Sequence, residues 1–268
     1  MSGVTMQVDQ FFSNLWQDYI QITPQAKAIQ ELFVASDGEV INDHVAFRTF
    51  AGTPLQLDNL EPVILSMGYE RQDSYDFKAK KLRAHSFIHP DPKQPKIFCS
   101  ELLTEQLSEA TQAIIARYTV QIEPQSLSPD VFYSARHWDM PSLEDYQTVM
   151  AESEYGAWLL AIGVRVNHFT VSINHLNSTD SIETVLQRVK DAGFGINTVG
   201  GEIKGTPANL LEQGSTMADR QVYEFGCGAQ QEIPTCFYEF AKRYPGADGI
   251  VYQGFVEANA DKIFESTN

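Results

Sequence analysis

The sequence predicts an α+β protein with one curved sheet made from two β-α-β-β-β units, and with extra helices before the first unit and between the two. Two observations predict this fold. Alternating residues over NDHVAFRTF (42–50) and VNHFTVSIN (166–174) indicate two strands that both carry His after Asp or Asn. Each strand is followed by a helix-like stretch that ends at a glycine, a common helix stop. The whole chain, residues 1–268, is predicted to be a single domain.

The N-terminal residues 1–36 are predicted to form two helices. Apolar side chains recur every three or four residues from Val8 to Ile20, which is the period of an amphipathic helix. Pro24 suits the first turn of a second helix. The segment ASDGEVIND, residues 35–43, contains the turn-forming residues that separate these helices from the first strand.

The first β-α-β-β-β unit is predicted over residues 38–104. Its strand is followed by the helix LDNLEPVILSMGY and then by the extended segments KLRAHSFIHP and KIFCSELL. Residues 105–160 are predicted to be a helical connection, with LSEATQAIIARY as its clearest helix.

The second unit and the C-terminal tail are predicted over residues 161–268. The helix SIETVLQRVKDAGF follows the strand, and QVYEFG and TCFYEFAKRY are the extended segments. Two such units commonly pair into a half-open sheet that holds a metal on its concave side, the vicinal-oxygen-chelate-like arrangement. The alternative is that two short strands resemble each other by coincidence.

Composition excludes several classes of protein. The 19 Lys and Arg against 35 Asp and Glu leave a formal charge of -16, which would repel a nucleic acid backbone. The three cysteines do not form a disulfide framework or a zinc-finger pattern. The sequence shows neither a signal peptide nor a long apolar run, so we expect a cytoplasmic protein that does not bind membranes.

Two histidines and a glutamate form the candidate site. His44 and His168 occupy the same place in the two repeated strands, each on the more polar face. Glu239 lies inside an apolar strand, where burying an unpaired carboxylate would be costly. Two imidazoles and one carboxylate are the ligands of the facial triad that binds Fe(II). The alternative is two unrelated core histidines and a glutamate at the rim.

Arg48 is a candidate substrate-binding residue. It follows His44 by four residues on the same strand face, so its long side chain reaches toward the predicted metal. A guanidinium there could hold the far carboxylate of a short diacid whose near end chelates the metal. A salt bridge to a neighbouring acid is an equally good interpretation.

Other polar residues have weaker signals. Glu101 is interpreted as the repeat partner of Glu239, either as a fourth ligand or as a general base. His85 and His89 are interpreted either as residues that contact the metal ligands or as surface residues at the strand ends. The glycine-rich residues 200–214 are interpreted as a flexible strand connection, with a lid as the alternative.

Four segments together resemble the family long labelled domain of unknown function 1338, whose characterised members are 2-oxoadipate dioxygenase/decarboxylases, or hydroxyglutarate synthases. The resemblance covers most of residues 38–255 and depends on NDHVAFRTF, YDFKAKKLRAHSFIHP, VNHFTVSINHL and TCFYEFAKR. It implies a non-haem iron enzyme of lysine catabolism that uses dioxygen to convert a small 2-oxo diacid, 2-oxoadipate, to 2-hydroxyglutarate.

The resemblance also implies roles for residues. His44, His168 and Glu239 would be the catalytic residues and would bind Fe(II), although the isolated protein could carry another divalent metal. His44 and Arg48 would contact the substrate. Characterised members are longer, and part of their substrate pocket comes from a C-terminal region that this chain is expected largely to lack, with GADGIVYQGF (246–255) as an abbreviated equivalent. The resemblance therefore predicts the metal-binding residues better than it predicts the substrate.

Two other functions stay open from the sequence. One is a different divalent-metal enzyme on the same scaffold, an isomerase or a hydrolase, with Glu101 or another carboxylate as the base. The other is a binding module that holds a small molecule without turnover.

Overall fold

The N-terminal residues form the two predicted helices, α1 (Ser2–Ile22) and α2 (Pro24–Asp37), in a computed structural model that describes residues 2–123 and 127–267. The apolar stripe of α1 is buried, as its spacing predicts. The rings of Trp16 and Tyr19 pack on Phe169 of the main sheet, with centroids 5.1 Å apart in both pairs. These helices therefore cover the outer face of the sheet.

The first unit has the predicted β-α-β-β-β order. Its elements are β1 (Asn42–Phe50), α3 (Leu57–Ser66), β2 (Glu70–Phe77), β3 (Leu82–Ile88) and β4 (Lys96–Leu102). The two extended segments predicted after the helix correspond to β3 and β4, and β2 has no counterpart among them. The connection to the second unit contains α4 (Glu109–Thr119), α5 (Leu143–Glu152) and α6 (Glu154–Ile162). The connection also includes residues 124–126, which lie outside the described residues.

The second unit differs from the prediction in which segments join the main sheet. Its elements are β5 (Val166–Ser172), α7 (Ile182–Asp191), β6 (Lys204–Thr206), β7 (Leu211–Ser215), β8 (Arg220–Glu224), β9 (Gln230–Pro234) and β10 (Phe237–Arg243). The segment QVYEFG contains most of β8, which among the described strands pairs only with β9, in a separate two-stranded sheet. The glycine-rich residues 200–214 form β6 and most of β7, so they are part of the main sheet rather than a flexible connection or a lid.

The two units join through their first strands. The order of the eight-stranded sheet is β2-β3-β4-β1-β5-β10-β7-β6, with β1 antiparallel to β5. In each half the last strand of the unit runs parallel to the first, β4 beside β1 and β10 beside β5. The two halves therefore match strand for strand, and the predicted duplication of an α+β unit is confirmed.

A C-terminal segment closes the concave side of this sheet. We define it as residues 252–267, which include α8 (Glu257–Ile263) and a short 3-10 helix, Phe264–Thr267. Helix α8 contacts β2 at one edge of the sheet and β6 at the other. The segment thus crosses the opening of the half-barrel. Across residues 2–123 and 127–267, no helix combines the length and the apolar composition needed to cross a membrane.

Candidate metal centre

Three predicted residues meet on the concave face of the sheet. His44 comes from β1, His168 from β5 and Glu239 from β10, and one ligand atom of each lies within 4.8 Å of those of the other two. His168 Nε2 is 3.1 Å from Glu239 Oε2, and His44 Nε2 is 3.6 Å from Glu239 Oε1. All three side chains are buried, and Glu239 is fully so.

Two β-bulges orient the histidines. The register between β1 and β5 shifts by one residue at Asp43 and again at Asn167, so the residue before each histidine has no partner on the opposite strand. The side chain of each bulged residue contacts the histidine that follows it. Asp43 Oδ1 is 2.8 Å from His44 Nδ1, and Asn167 Oδ1 is 3.1 Å from His168 Nδ1. Strict alternation of side chains did not predict these contacts; the signal in the sequence was the Asp or Asn before both histidines.

The contacts of the two bulged residues also determine which ring nitrogen of each histidine carries a proton. A carboxylate or amide oxygen can only accept a hydrogen bond, so each Nδ1 carries the proton and donates it. In a neutral imidazole the lone pair then lies on Nε2, which faces Glu239 in both residues; His44 Nε2 is also 3.1 Å from Thr170 Oγ1. This is the tautomer in which a histidine binds a metal through Nε2.

The donor set fits a cation. With neutral imidazoles, the two Nε2 atoms and the carboxylate are all acceptors in a buried place, and acceptors that face one another are costly without a cation between them. Among the described residues, Glu239 Oε2 has no hydrogen-bond partner. Burial raises the pKa of Glu239, but His44 and His168 outweigh burial and the pKa is lowered overall. Burial lowers the pKa of His168. Burial thus favours the neutral imidazole of His168, which is the form that binds metals.

Arg48 lies in the same cavity with unused hydrogen-bond donors. Arg48 is 1% exposed, and its guanidinium carbon lies 4.8 and 4.9 Å from the ring centres of Tyr155 and Trp158. Its Nη2 donates to Thr267 Oγ1 at 3.1 Å, while Nε and Nη1 have no hydrogen-bond partner in the described part of the chain. Glu154 Oε1 is 3.7 Å from Nη1, which allows an ion pair but is too far for a hydrogen bond. The predicted salt bridge is therefore present, but it does not use the hydrogen-bond donors of Arg48. Unpaired buried donors are costly, and an anion in the cavity would satisfy them.

The cavity between these groups has a wall made by the C-terminal segment. It occupies about 410 Å³, its open mouth included. The lining includes four residues of this segment, Phe255, Ala260, Ile263 and Phe264, together with the three ligand candidates. The C-terminal part of this chain thus contributes to the cavity. Only Phe255 belongs to the predicted substitute GADGIVYQGF; the other three follow it in the sequence.

Glu101 is not the counterpart of Glu239. In the second half, Glu239 pairs with Thr170, which lies two residues after His168. In the first half, the residue two after His44 is Ala46, and it pairs with Phe98. Glu101 points to the opposite face, where its Oε2 accepts a hydrogen bond from Leu57 N at 2.8 Å and its Oε1 accepts one from Arg83. It holds the start of α3 and is neither a fourth ligand nor a base at this site.

His85 and His89 also lie away from the metal centre. His85 Nδ1 is 3.2 Å from Glu61 of α3 on the outer face of the sheet. His89 Nδ1 accepts a hydrogen bond from the backbone of Asp91, and its ring packs on Tyr69. Neither histidine contacts the three ligand candidates, so the interpretation that they contact the metal ligands is wrong.

Comparison with known proteins identifies the family. A family model described as 2-oxoadipate dioxygenase/decarboxylase matches residues 11–131 and 129–247. A 2-oxoadipate dioxygenase/decarboxylase of Oryza sativa subsp. japonica is 35% identical over 289 residues, which cover 97% of this chain and 79% of the relative. The chain belongs to the 2-oxoadipate dioxygenase/decarboxylase family. The family predicted from the four sequence segments is thus confirmed.

Solved structures extend the likeness of this 2-oxoadipate dioxygenase/decarboxylase family member to three dimensions. A hydroxyglutarate synthase from Oryza sativa, solved in complex with 2-oxoadipate, is 34% identical with a TM-score of 0.92, over all of this chain and 94% of that one. A putative hydrolase from Shewanella frigidimarina is 49% identical with a TM-score of 0.88, covering 93% and 97%. A putative glyoxalase superfamily protein from Ralstonia eutropha shares the fold, with 20% identity, a TM-score of 0.76 and coverage of 92% and 85%.

Proposed function

We propose that the protein is an Fe(II)-dependent dioxygenase/decarboxylase that converts 2-oxoadipate and dioxygen to 2-hydroxyglutarate and carbon dioxide. The observation that carries the proposal is the pairing, in one buried cavity, of a two-histidine, one-carboxylate set with an arginine that has unused donors. The names of the family and of the rice relative support this choice of reaction.

The chain's own residues would divide the work between metal and substrate. His44, His168 and Glu239 would bind the metal on one side and leave the side toward the cavity open. When bound, Fe(II) would supply chelation of the 2-oxo acid and activation of dioxygen. His44, at the edge of the open side, would also contact the substrate.

Arg48 would hold the distal carboxylate of the diacid. Its free Nε and Nη1 can form charge-assisted hydrogen bonds with a carboxylate that enters the cavity. Tyr155 and Trp158 stack on the guanidinium and fix its plane. Fixing both ends of the substrate would place one carbon toward the oxidant, which is the main contribution a protein makes to cofactor chemistry.

Phe98, Phe255 and Phe264 would exclude water from the reacting groups. They line the cavity between the metal centre and Arg48. A dry cavity strengthens the interaction of Arg48 with a carboxylate and limits side reactions of the oxidant. This reaction would place the protein in lysine catabolism, and we propose the cytoplasm as its location.

Oxygen uptake with a panel of 2-oxo acids tests the proposed function. With Fe(II) added anaerobically and air then admitted, we expect 2-oxoadipate to give one carbon dioxide and one 2-hydroxyglutarate per dioxygen consumed. Zn(II) should support no oxygen uptake, because it has no redox chemistry. Uptake that is equal with and without a 2-oxo acid, or isomerisation or hydrolysis supported by Zn(II), would contradict the proposal in favour of another metal enzyme.

A further inference from the structure

Arg243 connects the metal centre to the start of the C-terminal segment. Its Nε and Nη2 donate to the two carboxylate oxygens of Asp43, at 2.7 and 2.9 Å, and Asp43 in turn accepts from His44 Nδ1. Its remaining terminal nitrogen, Nη1, donates to the backbone oxygens of Tyr252 and Gly254 at 3.1 and 2.7 Å. One buried guanidinium therefore holds both the partner of a metal ligand and the chain just before Phe255, whose ring packs on His44 with centroids 4.9 Å apart.

Gln213 makes a second connection at the other side of the site. Its Nε2 donates to Glu239 Oε1 at 2.7 Å, and its Oε1 accepts from Asn259 Nδ2 at 3.1 Å. Asn259 lies in α8, is 3% exposed and also donates to Leu211 O at 3.2 Å. The direction of each hydrogen bond is fixed, because a carboxylate accepts only and the amide of Gln213 must present its nitrogen to it.

We propose that these two relays couple metal binding to the seating of the C-terminal segment, with Arg243 and Gln213 as positioning residues. A bound metal would fix His44 and Glu239, and through them Asp43, Arg243, Gln213 and Asn259. By linkage, an interaction that stabilises the C-terminal segment in its packed position then raises the affinity for the metal. A bound metal stabilises the packed segment by the same free energy. The inference rests on the proposed metal site and is independent of substrate and reaction.

The coupling has a consequence for the substrate-binding residue. Thr267, at the end of the same segment, accepts a hydrogen bond from Arg48. A metal that seats the segment would therefore also place the group that orients Arg48. The cavity wall would be more ordered in the metal-bound protein than in the empty one. The diacid would therefore have a higher affinity for the metal-bound protein.

Hydrogen exchange of the intact protein, with and without metal, tests the coupling directly. Co(II) under anaerobic conditions is the probe, because it reports binding without turnover. We expect metal to slow exchange at the backbone amides of residues 252–267 by roughly 5- to 150-fold, the usual range of coupling between sites. Amides of α4, which does not contact the metal ligands, serve as the internal reference. Equal exchange of the C-terminal segment in the empty and the Co(II)-bound protein would overturn the proposal.

Two variants and a matched control separate coupling from a loss of stability. Asn259→Asp keeps the shape of the side chain but removes the donor to Gln213, and Arg243→Met removes the other relay. Each should weaken Co(II) binding by roughly 10-fold or more, as changes beyond the ligands of a metal do, although neither residue touches the metal. Arg83→Met is the control, since it also deprives a buried carboxylate, Glu101, of its cation, but on the outer face.

The outcomes distinguish this proposal from the proposed function. Wild-type affinity for Co(II) in Asn259→Asp and Arg243→Met would overturn the coupling and leave the metal site intact. Weakening of the same size in Arg83→Met would also overturn it, because the effect would then follow from stability alone. If the wild-type protein binds no Co(II), the metal site itself fails, and the proposed function fails with it.

Discussion

Replacing His168 with alanine is expected to abolish metal binding and leave the protein folded. The change removes one of three ligands and the hydrogen bond to Asn167. Loss of its buried ring, which stacks on Phe237 with centroids 4.5 Å apart, should lower the free energy of unfolding by about 1–3 kcal/mol. Metal content after anaerobic loading with Fe(II), together with a thermal unfolding curve, measures both effects. We expect less than one tenth of the wild-type metal content.

His85→Ala is the control for this prediction. His85 is also a buried histidine in a strand of the sheet with a carboxylate partner, Glu61, but it lies on the outer face. The variant should lose a similar amount of stability and keep one metal per chain. One metal per chain in His168→Ala would show that His168 is not a ligand.

Exchanging Arg48 for lysine is expected to change which substrates the enzyme prefers. Lysine keeps the positive charge but has one donor group where arginine has a planar fork, and it cannot stack between Tyr155 and Trp158 in the same way. We expect kcat/KM for 2-oxoadipate to fall roughly 100-fold, consistent with a loss of a few kcal/mol when a buried charge pair is disrupted. For 2-oxohexanoate, which has the same chain length and no distal carboxylate, kcat/KM should change by less than about 5-fold.

The comparison of the two substrates makes the Arg48 prediction specific. Arg83→Lys, on the outer face of the sheet, serves as the control and should leave the ratio of the two kcat/KM values unchanged. An equal loss for the diacid and the monocarboxylic acid in Arg48→Lys would mean that Arg48 does not bind the distal carboxylate.

The ligand candidates were predictable because they depend on local patterns. Alternation placed His44 and Arg48 on one strand face, and the repeated Asp/Asn-His pair singled out His168. Glu239 was conspicuous as a carboxylate within an apolar strand. The bulges at Asp43 and Asn167 were not predictable, because a bulge is a one-residue shift relative to a partner strand and the sequence does not contain the pairing.

The errors share a physical cause, which is long-range pairing. The sequence predicts QVYEFG as part of the main sheet because this segment is extended and lies before the last strand. In the structure its partner is β9, and β6 and β7 complete the second unit. The place of Glu101 in the chain predicts that it matches Glu239, whereas the strand register makes Phe98 the counterpart. The role of the C-terminal segment depends on contacts with strands at both sheet edges, which no local pattern indicates.

Anomalous diffraction from crystals of the protein loaded anaerobically with Fe(II) tests the central claim most directly. Data collected on both sides of the iron absorption edge locate iron without reference to activity. We expect a single strong anomalous peak at about 2.0–2.2 Å from His44 Nε2, His168 Nε2 and a carboxylate oxygen of Glu239, by analogy with other divalent metals bound by nitrogen and oxygen. Iron bound at other residues, with these three side chains unligated, would contradict the account.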